Sequence, residues 1–192
     1  MLIVVRHGRT EANAQGLLLG RADPALDEVG RAQAAAVAAA VGPVDRVVSS
    51  PLARCRETAA QFTASGGPVE IDDRWIELDY GDLDGRSAAE VPTATWRAWR
   101  ADPSFAPPHG ESLASLFVRV AAALDDLRAA AGRQTIVVVT HVSPVKAALA
   151  WSLGAGPEVS WRAYVAPSAV MRIAVGDQGP SLHSFNDINH CP

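Results

Sequence analysis

The chain has 192 residues, 48% of them hydrophobic and 20% charged, with a net charge of −4. That length and composition predict a soluble globular protein with a real core, a single domain over residues 1–192. It lacks the basic balance of a nucleic-acid binder and any apolar run long enough for a membrane span. Its two cysteines, Cys55 and Cys191, form neither a disulfide framework nor a metal-binding spacing.

The first residues, MLIVVRHGRT, read as a buried β-branched strand over Leu2–Arg6. With no basic region before it and no small-residue cleavage site after it, this is not expected to be a signal peptide, and a cytoplasmic location is expected. Asp27 is placed to cap a helix from Glu28 to about Val41. Arg46–Ser49 is a second strand. Ser50 then reads as a cap, with Pro51 in the first helical position, for a helix to about Ala64. Val69–Ile71 is a short strand and Thr93–Ala101 a helix. Pro107-Pro108-His109-Gly110 breaks the chain, and Ser112 caps a long helix to about Ala131. Thr135–Thr140 is a strand buried on both faces. Ser143-Pro144 repeats the cap-plus-proline signal and opens a helix to about Leu153. Late strands are expected over Ala169–Val175 and near His183.

Strands alternating with helices imply a three-layer α/β/α sandwich around a mostly parallel, mixed sheet. In such folds ligands bind beyond the carboxyl ends of the strands. Three strand-to-helix junctions bring chemistry to that edge. The first carries Arg6, His7, Gly8, Arg9, Thr10 and then Asn13. The second, SSPLARCRET, carries Arg54. The third, THVSPVK, carries His141. Two of these helices also point their N-termini at the edge, which favours an anion. Two arginines and two histidines around one pocket suit a phosphoryl group, since guanidinium forks match its oxygens. A neutral imidazole is a competent nucleophile near pH 7, and a second can donate to oxygens that gain charge. Gly8 is expected to let backbone approach the phosphate, and Thr10 and Asn13 to add polar donors.

LIVVRHGRTEAN, GRADPALDEVGRAQA, SSPLARCRET, IELDYGDLDGRS, HGES and THVSPVK stand in that order along most of the chain. Together they resemble the histidine phosphatase superfamily, the phosphoglycerate mutase-like family. The resemblance implies His7 as nucleophile, with Arg6, Arg54 and His141 completing the phosphate pocket. It implies Glu77 as the acid that protonates the leaving oxygen and then activates water, and Asn13 as a phosphate contact. An acid in that place answers a chemical need, because an alkoxide is a poor leaving group. Arg21 is a candidate substrate contact or a solvated charge. No cofactor or metal is required by this scheme.

The sequence departs from the commoner pattern at Arg9, at Leu83 and Asp84, and at Val142-Ser143, where Gly-Gly is usual. Val142 keeps a backbone N–H to give the phosphate. THVSPVK is similar to the tail motif in the phosphatase half of ribonuclease H/acid phosphatase-type members and in α-ribazole phosphatase-like members. The expected activity is hydrolysis of a small-molecule phosphomonoester. A cofactor-dependent mutase is the nearest rival, disfavoured by the short stretch between Glu77 and His141. An inactive phosphate-binding domain is the rival of another class. The Ala-rich helices leave open packing in the core or against a second copy, as in a homodimer.

Overall fold

A computed structural model describes residues 1–191. Its centre is a six-stranded sheet in the order β3-β2-β4-β1-β5-β6. The strands are β1 (Leu2–Arg6), β2 (Arg46–Ser49), β3 (Glu70–Ile71), β4 (Ile136–Thr140), β5 (Val170–Gly176) and β6 (Gly179–Asp187). The first four run parallel, with Arg6 opposite Thr140 and Ser49 opposite Val139. β5 pairs antiparallel with β1, and β6 with β5. The expected mixed, mostly parallel sheet is therefore present.

Alternation along the strands builds two cores. Leu2, Val4, Val48, Ile136 and Val138 face one layer, where they pack with α5 (Leu113–Ala131) and α6 (Val142–Leu153). Ile3, Val5, Val47, Val137 and Val139 face the other, where they meet α2 (Glu28–Val41) and α3 (Ala53–Ala59). Strands covered on both faces have no polar side to show, which explains the unbroken β-branched runs. Two smaller helices, α1 (Glu11–Ala14) and α4 (Thr93–Ala101), lie at the edge where the parallel strands end. No described helix is long and apolar enough to cross a membrane.

Two helix starts differ from the sequence expectation. α3 begins at Ala53 after Leu52, without a side-chain cap from its own segment. The Ala53 N–H donates instead to Asp23 Oδ1 at 2.7 Å, across the site from another loop. A borrowed carboxylate satisfies the helix end, while Ser50 Oγ makes only a long 3.4 Å contact with the Leu52 N–H. The helix also stops at Ala59 rather than near Ala64. α6 begins at Val142, two residues earlier than Ser143-Pro144 suggested, with His141 in the cap position. Pro144 still fits, because the first-turn N–H groups have no intrahelical acceptor. Asp27 and Ser112 cap α2 and α5 as read, accepting from Gly30 N and Ser115 N.

Gly8 also has a packing reason. A Cβ there would sit 2.3 Å from the Gly30 carbonyl oxygen, and one on Gly30 would sit 1.9 Å from the Arg9 carbonyl oxygen. The two glycines let α2 lie directly on the loop that follows β1.

Candidate active site

The carboxyl ends of β1, β2 and β4 lie side by side, so Arg6-His7, Ser49-Ser50 and Thr140-His141 meet. His7 N–H donates to Thr140 O at 2.9 Å, and Ser50 N–H to Val139 O at 3.0 Å. The His7 and His141 rings stand edge to face with centroids 5.1 Å apart. Arg6, His7, Arg54, Glu77 and His141 are all buried.

Each ring is oriented by its neighbours. His7 Nδ1 lies 2.6 Å from the carbonyl oxygen of Gly8. A carbonyl only accepts, so Nδ1 carries the proton and Nε2 keeps its lone pair, with no hydrogen bond of its own. His141 Nδ1 lies 3.2 Å from Arg54 Nε, and Nε2 lies 2.7 Å from Ser50 Oγ. Arginine only donates, so His141 accepts at Nδ1 and carries its proton at Nε2. That proton goes to Ser50, the hydroxyl that sequence reading assigned to a helix cap. Cys55 Sγ, 3.3 Å from the same Nε2, closes the ring's other side.

The cations are held by backbone. Arg54 donates from Nη1 to Ala22 O at 2.7 Å and from Nη2 to Gly20 O at 2.9 Å. Arg6 Nη1 donates to Val165 O at 2.8 Å, while its Nε has no protein partner. Burial lowers both guanidinium pKa values, with Glu77 opposing the shift in each case. Arginine nonetheless stays charged. Burial, reinforced by Arg6 and Arg54, pushes His7 well below the ordinary imidazole value. Burial and Arg54 do the same to His141. Both rings are neutral at pH 7.

Glu77 reaches this cluster on a pinned segment. The Thr140 hydroxyl donates to Trp75 O at 2.6 Å, and Arg119 Nη2 donates to Glu77 O at 3.1 Å. Glu77 Oε1 accepts from Leu78 N–H at 2.7 Å and from Ser143 N–H, in the first turn of α6, at 3.2 Å. Its Oε2 has only a 3.4 Å contact with the same Ser143 N–H. One oxygen is thus occupied and the other is available to hold or take a proton.

The remaining predicted residues lie differently. Thr10 and Asn13 form a reciprocal cap on α1, with Thr10 Oγ1 accepting from Asn13 N and Asn13 Oδ1 accepting from Thr10 N, each at 3.2 Å. The Asn13 amide nitrogen is outside that pair. Arg21 faces Asp79 at 3.5 Å and Glu111 at 3.7 Å, and no contact links it to His7, Arg54 or His141. Val142 is the first residue of α6, beside the Ser143 N–H that holds Glu77. His109, in the proline-rich loop, is exposed and pairs with Asp82.

The sequence marks Asp84 only as a departure from the family pattern and does not show its role. Its carboxylate accepts from the backbone N–H groups of Gly20, Arg21 and Ala22 at 2.8, 2.8 and 2.9 Å. It therefore shapes the loop whose carbonyls hold Arg54. Nothing local in GDLDG signals a partner more than sixty positions away. Among the described residues, no group of three or more His, Cys, Asp or Glu side chains is arranged to hold a metal.

A profile of the histidine phosphatase superfamily (branch 1) matches residues 2–188. The chain belongs to this superfamily. It is 37% identical over 171 residues to a bifunctional protein of Mycobacterium tuberculosis, covering 85% of this chain and 47% of that one. The chain thus spans about half the length of that relative. Phosphoserine phosphatase 1 of Hydrogenobacter thermophilus is 36% identical over 167 residues, 83% of this chain and 79% of its own. The solved structure of a phosphoserine phosphatase from Entamoeba histolytica, in complex with phosphoserine, is similar at a TM-score of 0.91. It is 28% identical, with 100% of this chain and 98% of that chain covered.

Proposed function

We propose that this member of the histidine phosphatase superfamily hydrolyses a small phosphomonoester in two steps, without metal. The observation that carries the reading is the His7 tautomer. Its Nδ1–H is committed to Gly8 O, which leaves the Nε2 lone pair free, and the charges of the buried Arg6 and Arg54 guanidinium groups help keep the ring neutral. In the first step Nε2 attacks phosphorus, an N–P bond forms and the ester P–O bond breaks. The departing oxygen takes the proton of Glu77. The ring becomes a phosphorylated imidazolium, and its positive charge rests on the Nδ1–H···O bond to Gly8. In the second step water attacks phosphorus, gives a proton to the Glu77 carboxylate, and the N–P bond breaks. Inorganic phosphate leaves and the starting state returns.

Arg6 and Arg54 hold the phosphoryl oxygens with donors not used on the backbone, and the free Arg6 Nε–H is one of these. His141 supplies its Nε2–H to an equatorial oxygen by leaving Ser50. Val142 N–H at the start of α6 adds a donor. Asn13 reaches the phosphate through its amide nitrogen. Thr10 acts by holding Asn13, and Arg21 by lining the entrance with Asp79 and Glu111. The names of the relatives, phosphoserine phosphatase among them, support a small phosphorylated metabolite as substrate. Residues 1–192 act as one unit in this scheme, and the composition supports a cytoplasmic protein.

The deciding experiment is a rapid alkaline quench during turnover of a 32P-labelled ester in EDTA. A labelled, acid-labile adduct on His7, absent from His7→Ala, is expected. An unlabelled protein that still releases phosphate, or activity lost in EDTA and restored by Mg²⁺, would overturn the reading.

A further inference from the structure

Beside Glu77 lies a second cavity of about 150 Å³ whose wall includes none of Arg6, His7, Arg54 and His141. Leu78 and Ser143, the two residues whose N–H groups hold the Glu77 carboxylate, form part of its wall. Aromatic residues form half of the rest. Trp96 and Trp99 stack with centroids 5.6 Å apart, and Trp161 meets Trp99 edge-on at 6.2 Å. A space of this size takes a single six-membered ring.

The same cavity carries unspent donors. Lys146 reaches it from α6, with Nζ bound to Ser160 O at 2.7 Å. An ammonium has three donors, so two remain. Among the described residues Lys146 forms no ion pair. Trp99 Nε1 and Ser160 Oγ are buried and have no hydrogen-bond partner. Unpaired polar groups buried in one apolar cavity are costly, and a ligand with acceptors removes that cost. A carboxylate is the small group that satisfies an ammonium and a neighbouring hydroxyl together.

We infer that this cavity is the leaving-group subsite, and that Lys146 selects phosphomonoesters whose leaving group is a single ring bearing a carboxylate. The inference rests on the proposed hydrolysis, because a leaving oxygen protonated by Glu77 must carry its organic group past Leu78 and Ser143. The ring lies against the tryptophans, and the carboxylate takes the two free donors of Lys146 with Ser160 and Trp99 alongside.

The test compares 4-carboxyphenyl phosphate with phenyl phosphate. Wild type should favour the carboxylated ester in kcat/KM by about tenfold, mostly through KM, the size of one charge-assisted contact. Lys146→Met should bring that ratio to about one, and Lys146→Arg should retain most of it. A second readout needs no turnover. 4-Hydroxybenzoate added to His7→Ala should change tryptophan fluorescence saturably, and Lys146→Gln in that background should weaken binding about tenfold. A wild-type ratio at or below one, or a ratio untouched by Lys146→Met in a protein that melts normally, would overturn the subsite. Turnover surviving His7→Ala would instead overturn the hydrolysis scheme, and the fluorescence titration would still judge the cavity.

Discussion

Arg54 Nε donates to His141 Nδ1 across 3.2 Å, and this bond dictates where the proton of a buried ring must lie. A guanidinium cannot accept, so the His141 proton sits on Nε2, next to Ser50 Oγ. The same guanidinium is clamped by Gly20 O and Ala22 O, in a loop that Asp84 holds by three N–H bonds. A chain of contacts therefore runs from Asp84 through the loop and Arg54 to the tautomer of His141.

Arg54→Lys should break that chain while keeping the charge. One ammonium cannot reach two carbonyls, a ring nitrogen and a phosphoryl oxygen at once. A loss of about 10²-fold or more in kcat/KM for p-nitrophenyl phosphate is expected, from mutational losses of comparable transition-state donors. Asp84→Ala should give a smaller loss in the same direction. Steady-state kinetics on folded variants checks both, and a near-normal Arg54→Lys would remove the guanidinium from the mechanism.

Glu77→Gln keeps the shape of the side chain and removes its proton-transfer capacity. Alkyl phosphates need a proton on the leaving oxygen and nitrophenyl phosphate does not. The variant should slow an alkyl ester about tenfold or more beyond its effect on the aryl ester in the first step. Single-turnover rates separate that step from hydrolysis of the adduct, and equal slowing of both esters would remove Glu77 from the acid role.

The two buried histidines make stability depend on pH in a definite direction. Burial lowers both native pKa values below 6.5, so between that pH and the lowered values the unfolded chain binds protons that the native chain refuses. Stability is full above about pH 6.5 and falls as the pH drops below it. The slope reaches about 1.4 kcal/mol per pH unit for each ring. Urea unfolding from pH 7 to 5.5 should show this fall, and the double variant His7→Gln/His141→Gln should flatten it. Equal slopes in the two proteins would contradict neutral burial.

Gly30→Ala sets two effects against each other. Alanine within a helix is favoured over glycine by about 1 kcal/mol. Here, however, the new Cβ would lie 1.9 Å from the Arg9 carbonyl oxygen, a backbone atom that cannot swing aside. Overpacking of this kind costs roughly 1–3 kcal/mol, and a backbone clash this close lies at the upper end. The variant should unfold at lower urea, with activity reduced because Arg9 follows Gly8 and His7. A stabilised Gly30→Ala would show that α2 can move away from the loop.

The strands and most helices were legible because their signals are local. Unbroken β-branched runs marked Leu2–Arg6 and Ile136–Thr140, and single capping residues marked Glu28 and Leu113. The misread starts were those where a cap comes from elsewhere, as Asp23 does for α3. Of the candidate site, the junction residues Arg6, His7, Arg54 and His141 were readable because parallel strands must end at one edge. Asp84, Ser50 as a histidine partner, and the tryptophan cavity were not, since each depends on contacts between distant segments.

Sequence by itself determined the layered α/β architecture, the edge where chemistry gathers and the residue types gathered there. Periodicity and capping act over a few residues and survive without knowledge of the fold. Only tertiary structure decided which nitrogen of each imidazole carries the proton, which oxygen of Glu77 is free, and that a tryptophan-lined cavity stands beside Glu77. Hydrogen-bond direction and burial belong to pairs of atoms from separate segments, and folding alone brings those pairs together.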